Sequence, residues 1–274
     1  MRIHWIRGGT LDAISGGLIH INNGAICPVI SRSGDIVIGQ RSSLSGRAVS
    51  WAYKAGVHIF ITSDGASKLQ AWLPLDTSGD TFAKQIVATN TPRVIDEVAR
   101  WMLQRRFGQV LHPAHSVRVV RGREGAEVRR IYKNLSAEFS VRWDGRQKNR
   151  KWGQLTPLNR AISLCNAALY GLTEIAILHA GYSPYFGFMH GNSGKALVYD
   201  IADMVKFERV TPIAFRTVAD RRPNPEWRAR AACIRLFRQS ALLRELISLT
   251  EETMDVAIKS LAEKPPRRSR KNLS

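Results

Sequence analysis

The spacing of the apolar residues changes once along this chain, near residue 76, and this change constrains the fold more than any other feature. Before it lie short β-prone runs with glycine-containing breaks, such as RIHWIR, GGLIHI and GDIVIG. After it, apolar residues recur at helical spacing, as in Ile95, Val98, Trp101 and Met102. The pattern predicts an α+β fold in which a small N-terminal β-rich domain precedes a larger, mainly α-helical domain.

The same pattern gives approximate boundaries. We predict a β-rich domain over 1–76 with one short helix at 42–55, a helical domain over 77–263, and a basic, disordered tail over 264–274. The predicted helices of the second domain are 95–107, 124–139, 157–180, 198–207, 226–239 and 242–261.

The most apolar stretch, 156–182, is interrupted by Arg160, Asn166 and Glu174, so we interpret it as a buried helix and not as a membrane span. The N-terminus lacks the apolar run of a signal peptide. The 3 cysteines are widely spaced and form no disulfide framework. These features predict a cytoplasmic protein that does not act in a membrane.

The charge of the chain limits its partners. Lys and Arg number 41 against 22 Asp and Glu, which gives a formal net charge of +19. Such an excess predicts a polyanionic partner, and nucleic acid is the simplest one, with an anionic membrane surface as the alternative. Because the first 76 residues carry only +3 and the remainder +16, we expect the helical domain to meet this partner.

One segment, from Gly181 to Phe207, combines residues that suit a metal ion. His190 lies in a loop rich in glycine and serine, while Asp200 and Asp203 are three residues apart near the start of a predicted helix and share one face. Carboxylates suit Mg²⁺, and an imidazole shifts the preference toward Mn²⁺. The alternative is that the carboxylates complement a helix dipole and the histidine is only solvated.

A second segment, 117–132, places Glu124 among five arginines, with Glu127 one helical turn beyond it. A glutamate near a helix start, neutralised by arginines on a solvated face, is one explanation. The other is that Glu124 joins His190 and Asp203 around one metal ion while the arginines hold phosphates. The residues alone leave both explanations open.

A third segment, SVRWDGRQKNRKWG over 140–153, interleaves basic and aromatic residues in a predicted loop. Arg142 and Arg146 belong to it, and this composition suits a surface that follows a nucleic-acid backbone. Its two tryptophans, Trp143 and Trp152, are interpreted as core anchors.

Five strings together resemble one known family. In chain order they are RGREGAEVR, NAALYGLTEIAILHAGYSP, GFMHG, VYDIADMVKF and RAACIRLFR, and they span about residues 118 to 238. They resemble the CRISPR-associated spacer integrase, the adaptation endonuclease subunit, in the subtype that accompanies Cascade-type complexes.

The resemblance implies roles for particular residues. Glu124, His190 and Asp203 match the catalytic metal ligands, and Asp200 matches a further acidic position. Lys206, Arg230, Tyr170 and Tyr199 match positions near DNA. The implied cofactor is Mg²⁺ or Mn²⁺.

The resemblance also implies a reaction and partners. The family inserts short duplex DNA fragments into a CRISPR repeat array by 3′-hydroxyl transesterification, as a homodimer that assembles with a small ferredoxin-like partner protein into a heterohexamer. Two alternatives are a repair nuclease acting on branched DNA with the same residues, and a non-catalytic basic scaffold that packages nucleic acid.

Overall fold

The computed structural model describes residues 3–29, 34–63, 68–73, 79–147, 149–191, 193–239 and 241–263. The predicted domain boundary at residue 76 and the predicted tail over 264–274 lie outside these ranges. The N-terminal elements are β1 (Ile3–Ile6), β2 (Gly9–Ile14), β3 (Gly17–Asn22), β4 (Ala25–Pro28), β5 (Asp35–Ile38), β6 (Ser42–Leu44), α1 (Gly46–Ala55), β7 (Ile59–Ser63) and β8 (Lys68–Leu73).

The remaining described elements are helical, which confirms the α+β fold class. They are α2 (Gly79–Thr89), α3 (Pro92–Phe107), α4 (Val117–Glu138), a short 3-10 helix (Trp152–Gln154), α5 (Pro157–His179), α6 (Ala196–Arg209), α7 (Thr211–Ala219), α8 (Pro225–Gln239) and α9 (Leu242–Ala262).

The strands form two four-stranded sheets. One has the order β1-β5-β7-β8, with β1, β5 and β7 parallel and β8 antiparallel to β7. The other has the order β4-β3-β2-β6, in which β4, β3 and β2 are antiparallel and β6 runs parallel to β2.

The central strands of the first sheet, β5 and β7, contribute side chains to both cores and connect the two halves of the molecule. Successive side chains of a strand point to opposite faces. Ile36 and Ile38 of β5 therefore pack with Ile59 of β7 in the small N-terminal core, whereas Val37 and Phe60 belong to the large core of the helical domain.

Helix α5 is the central element of the helical domain and packs against α6, α7, α8 and α9. It begins as the sequence predicts, with Pro157 in the first turn and the Thr156 hydroxyl accepting a hydrogen bond from the backbone N–H of Asn159 at 3.3 Å. Among the described helices it is long and apolar enough to cross a bilayer, but 72% of its most apolar window is buried inside the protein. This burial confirms the interpretation of a core helix.

Several elements differ from the prediction. Helix α4 begins at Val117, whereas the sequence predicted a start at Glu124. The prediction was too short because Gly122, Gly125 and the surrounding arginines obscure the amphipathic pattern of the first two turns. Glu124 therefore lies inside a helix and not near its start. Helices α2 and α7 and strands β2, β4 and β6 were not predicted, because short elements carry little periodicity. Strand β6 occupies the start of the helix predicted over 42–55, so that helix begins only at Gly46.

Candidate metal centre and nucleic-acid interface

Glu124, His190 and Asp203, which lie far apart in the sequence, line one small pocket. We call these three residues the cleft cluster. Glu124 comes from α4, Asp203 from α6, and His190 from the loop that connects α5 to α6. The structure therefore brings together the three positions that the sequence predicts as metal ligands.

Asp200 holds the loop that carries His190. Its side chain is fully buried. Oδ2 accepts hydrogen bonds from the backbone N–H groups of Phe188 and Met189 at 2.6 and 3.1 Å, and Oδ1 accepts one from the backbone N–H of His190 at 3.1 Å. Oδ1 also lies 2.7 Å from Nδ1 of His190. Both carboxylate oxygens of Asp200, which the sequence predicts as a further metal ligand, are therefore engaged in holding the loop. The carboxylate is directed at the loop backbone and not at the N-terminus of a helix.

The bond to Asp200 orients the His190 ring. When Nδ1 donates its proton to the carboxylate, Nε2 keeps the lone pair that a metal ion needs. The hydrogen bond with Asp200 raises the pKa of His190 above its ordinary value, burial opposes this, and the charges of Asp200, Asp203 and Glu124 raise it further. The influence of both cleft carboxylates on this ring agrees with their position in one pocket.

The loop approaches α6 so closely that residue 187 must be glycine. A Cβ atom at Gly187 would lie 2.6 Å from the Ala196 carbonyl carbon, 2.6 Å from Asp200 Oδ2 and 2.7 Å from the Leu197 nitrogen. At the other end of the loop, Lys195 Nζ donates to both carboxylate oxygens of Glu174 on α5, each at 2.7 Å. The loop is thus fixed to both of its flanking helices.

Two cations already pair with the cleft carboxylates. Arg106 at the end of α3 donates to Glu124, and Lys206, one turn along α6, donates to Asp203. Arg106 is buried, and its guanidinium lies over the rings of Phe107 and Phe207 at 4.6 and 4.9 Å. These pairs neutralise the acidic groups of the pocket.

Sequence reasoning missed Arg106. Its signal was present, because Ala99, Met102, Leu103 and Arg106 follow one face of α3 at helical spacing. A cation on an otherwise apolar helical face indicates a buried charge with a partner.

A wider cleft of about 510 Å³ opens beside the pocket and shares the cleft cluster as its wall. Basic and aromatic side chains complete its lining: Arg121, Tyr132, Arg146, Tyr170, Tyr199, Lys206 and Phe207. The Tyr170 and Tyr199 rings meet edge to face at 4.9 Å. Burial and the charge of Asp203 raise the pKa of Tyr170, so its hydroxyl keeps its proton at neutral pH.

The predicted DNA-contacting residues separate into two groups. Arg146, Lys206, Tyr170 and Tyr199 line the cleft. Arg142 and Arg230 do not belong to that lining: Arg142 is 87% exposed and pairs with Asp144, and the Arg230 guanidinium lies 5.8 Å from the Trp227 ring on α8.

The two tryptophans of the basic segment also differ. Trp143 stacks on Tyr132 at 4.2 Å and packs against the large core, as predicted. Trp152 is 46% exposed, so its interpretation as a core anchor was wrong. Of the basic residues in this segment, Lys148 lies outside the described residues.

The donor set of the cleft cluster fits a divalent cation. Two carboxylates and one imidazole with a fixed ring are the ligand types that bind Mg²⁺ and Mn²⁺. The Arg106 and Lys206 pairs show that both carboxylates lie within reach of a positive charge.

A second group of carboxylate and imidazole side chains was not predicted. Asp35, His58 and His179 each offer one ligand atom, and these atoms lie within 4.8 Å of one another. We call these three residues the junction cluster, because they lie where the β1-β5-β7-β8 sheet meets the end of α5. The junction cluster is therefore an Asp/His group among the described residues whose ligand atoms lie close enough together to hold a metal ion. No short-range motif in the sequence connects its members.

Comparisons with known proteins agree with this architecture. The family model for CRISPR associated protein Cas1 matches residues 102–227. The CRISPR-associated endonuclease Cas1 3 of Methanospirillum hungatei is 35% identical over 250 residues, covering 90% of this chain and 84% of that protein. The CRISPR-associated endonuclease Cas1 of Escherichia coli is 32% identical over 264 residues, covering 91% of this chain and 83% of its own length.

Solved structures share the fold. A crystal structure of TtCas1 in complex with DNA superposes with a TM-score of 0.83 at 28% identity, covering 92% of this chain and 95% of that chain. A CAS1 protein from Thermotoga maritima shares the fold with a TM-score of 0.66 at 17% identity, covering 96% and 98% of the two chains. The similarity to whole relatives confirms the resemblance found in the sequence, and the chain belongs to the Cas1 family of CRISPR-associated endonucleases.

Proposed function

We propose that this enzyme joins short duplex DNA fragments to a CRISPR repeat array, in a reaction that depends on a divalent metal ion held by the cleft cluster. The observation that carries the proposal is the convergence of Glu124, His190 and Asp203 in one pocket on the wall of a basic cleft. The three residues come from two helices and a loop, so their meeting is a property of the tertiary fold and of no single motif.

The reaction is a transesterification. The 3′-hydroxyl oxygen of the incoming fragment forms a bond to the target phosphorus, and the bond from that phosphorus to the target 3′-oxygen breaks. The attacking hydroxyl loses its proton to solvent, and the departing 3′-oxygen takes up a proton from solvent to become a new 3′-hydroxyl. When bound, Mg²⁺ or Mn²⁺ polarises the phosphoryl oxygen and lowers the pKa of the hydroxyl, which supplies several kcal/mol of transition-state stabilisation. No protein nucleophile is required.

The residues of the chain divide the remaining work. Glu124 and Asp203 supply carboxylate ligands, and His190 supplies its Nε2 atom. Asp200 acts through His190, since it fixes the ring and the loop by four contacts, and we therefore assign it a positioning role and not that of a direct ligand.

Arg106 and Lys206 pair with the two cleft carboxylates and balance their charge. A carboxylate paired with a cation favours its charged form. Lys206, which pairs with Asp203, also lies in the cleft lining, where its ammonium group would meet a DNA phosphate. Buried Arg106 stays between the two phenylalanine rings and keeps Glu124 in place.

The wide cleft is the proposed DNA surface. Arg121, Arg146 and Lys206 present positive charge there, while Tyr170 and Tyr199 present aromatic faces close to the cleft cluster. The similarity to TtCas1, which was solved as a DNA complex, supports DNA as the substrate, and we propose that this DNA is double-stranded. Arg142 and Arg230 would then contact DNA beyond the cleft, on the outer surface of the helical domain.

The proposal also includes the assembly. A complex described as "Partial Cas6-RT-Cas1--Cas2 complex" shares the fold with a TM-score of 0.66. We propose a homodimer that binds a small ferredoxin-like Cas2-type partner in a cytoplasmic heterohexamer. Within each chain we propose a β-rich domain over 1–76 and a catalytic domain over 77–263.

The decisive experiment supplies the purified chain, its small partner, a short duplex with free 3′-hydroxyls and a supercoiled plasmid that contains a repeat. We expect covalent insertion of the duplex with Mg²⁺ or Mn²⁺ and none after chelation. A duplex whose 3′-ends are blocked as dideoxy termini is the matched control, since it binds equally but has no attacking oxygen.

Each alternative gives a different result. A branched-DNA repair nuclease would cut junctions in the presence of metal but would join no supplied 3′-end. A non-catalytic scaffold would bind both DNAs, tolerate His190→Ala and show no dependence on metal. Either result would contradict the proposal.

A further inference from the structure

The junction cluster assembles from three separate elements. Asp35 begins β5, His58 directly precedes β7, and His179 ends α5. The backbone N–H of Ile36 donates to the carbonyl of His58 at 2.9 Å, which fixes the first two residues on neighbouring strand ends. The His58 and His179 rings lie 5.5 Å apart at 74°.

The distances within this cluster match those around a small tetrahedral ion. Asp35 Oδ2 lies 2.6 Å from His179 Nδ1, and Asp35 Oδ1 lies 3.9 Å from His58 Nδ1. Two ligands at about 2.0–2.1 Å from a tetrahedral Zn²⁺ lie about 3.4 Å from each other. The observed separations fall on both sides of that value, so shifts of about 1 Å or less would complete the site.

Burial and charge also favour an ion. The Asp35 side chain is only 5% exposed, and its ion-pair partners within the described part of the chain are the two imidazoles. Asp35 Oδ2 contacts His179 Nδ1 closely, and this contact raises the pKa of His179. The imidazole ring is therefore the positive partner of the buried carboxylate when no cation is bound.

The surroundings allow an ion to enter and to stay. The His58 and His179 side chains are 20% and 26% exposed, which leaves a route from solvent. His179 lies at the C-terminal end of α5, where the helix dipole favours a cation. The Trp72 ring packs edge to face against His58 at 5.7 Å and covers the site on that side.

The junction cluster is separate from the proposed catalytic pocket. Tyr170 of α5 lines the catalytic cleft, and His179 lies nine residues further along the same helix. At a rise of about 1.5 Å per residue, the two positions are about 14 Å apart along the axis.

From these observations we propose that Asp35, His58 and His179 form a second cation site that takes Zn²⁺, with a water molecule as the fourth ligand. Two imidazoles and one carboxylate are a known zinc ligand set, and the imidazoles disfavour Mg²⁺. The ion would connect the ends of β5 and β7 to the C-terminus of α5, and so hold the N-terminal sheet on the helical domain.

The test measures binding of Zn²⁺ to the full chain, freed of metals by chelation, in competition with a chromogenic chelator. A Glu124→Ala/His190→Ala double variant removes the cleft ligands, so that Zn²⁺ bound at the cleft is not counted. We expect this variant to keep one Zn²⁺ per chain and His58→Gln, placed in the same background, to bind at least about 100-fold more weakly. His112→Gln, an exposed histidine on the connection between α3 and α4, is the matched control and should leave binding unchanged.

A second readout keeps the test valid if a variant is unstable. Free Zn²⁺ at about 100 times its Kd should raise the Tm of the Glu124→Ala/His190→Ala variant by about 5–10 °C. It should leave the Tm unchanged when His58→Gln is added to that variant. The proposal is overturned if no Zn²⁺ binds to the cleft double variant, or if binding survives both His58→Gln and His179→Gln. In either case the cluster is an ion pair only.

Discussion

The cleft cluster and the junction cluster use the same kinds of side chain in opposite surroundings. In the cleft cluster, Arg106 pairs with Glu124 and Lys206 pairs with Asp203, at the wall of an open basic cleft. In the junction cluster, the carboxylate is buried and its described ion-pair partners are imidazoles.

The difference indicates two kinds of ion. At the cleft, a metal must compete with a guanidinium and an ammonium for the carboxylates, which favours a hard ion that exchanges easily. At the junction, protons on the imidazoles compete with the metal, and two imidazoles favour a borderline-soft ion that remains bound. We therefore propose that carboxylate and imidazole side chains serve catalysis in the cleft cluster and stabilise the fold in the junction cluster, because the neighbouring charges differ.

The largest expected effect separates chemistry from stability. Glu124→Ala, His190→Ala or Asp203→Ala should lower strand joining by about a thousandfold, since each removes a ligand of an ion that contributes several kcal/mol. DNA binding, measured by gel shift, should change by no more than a few-fold. The control is Glu127→Ala on the same helix, whose carboxylate accepts from Gln109 at 2.7 Å and pairs with Arg130.

The strand-joining assay also tests whether the junction cluster is needed for catalysis. His179→Gln should leave strand joining within a few-fold of the parent at a temperature where both are folded. If His179→Gln abolished joining without lowering stability, the division into a catalytic and a structural cluster would be wrong.

The next effect concerns the positioning of His190. Asp200→Asn should lower strand joining by about 10- to 100-fold and weaken Mn²⁺ binding, because an amide cannot accept the same set of bonds from the loop. It should also lower the pKa of His190, measured by NMR, because the carboxylate raises it in the parent.

Asp96→Asn is the control for that variant. Asp96 also accepts a backbone hydrogen bond, from the N–H of Val117 at 2.7 Å, at the start of α4. An unchanged His190 pKa in Asp200→Asn would assign Asp200 a role in folding alone.

A smaller effect tests the charge of the cleft. Arg121→Ala should weaken DNA binding by about three- to tenfold at moderate salt and reduce the slope of log K against log salt by about 0.9. Arg244→Ala on α9, outside the cleft lining, removes the same charge as a control. Equal losses from both variants would mean that net charge, and not the cleft, determines affinity.

The smallest effect is a pH dependence of stability at the junction. The nearby Asp35 carboxylate raises the pKa of His179. Without metal, this pair therefore stabilises the fold fully below the ordinary histidine pKa of about 6.5 and loses its contribution as the pH rises through the elevated value.

We expect the Tm of the metal-free protein to fall by about 2–4 °C over this range, more than that of His179→Gln, if the pair contributes about 1 kcal/mol. With Zn²⁺ the sign reverses, because metal binding requires neutral imidazoles and strengthens as protons leave. Identical slopes with and without Zn²⁺ would remove the distinction between the two sites.

Sequence reasoning predicted the cleft cluster because its members lie in long, distinctive strings, and it predicted α5 because Thr156, Pro157 and an apolar stretch mark its start and course. It failed where the signal is tertiary. The prediction of helix α4 was too short because glycine and arginine hide its periodicity. The junction cluster depends on the parallel pairing of β5 with β7, which leaves no trace in the spacing of Asp35, His58 and His179.

The double-faced sheet has a practical consequence for anyone who wishes to isolate the catalytic half. Val37 and Phe60 belong to the core of the helical domain, so a fragment that lacks the strands would expose an apolar patch where these two side chains had packed. Such a fragment would keep its basic cleft but would aggregate through the exposed patch, so the strands that carry Val37 and Phe60 are needed to cover the core of the helical domain.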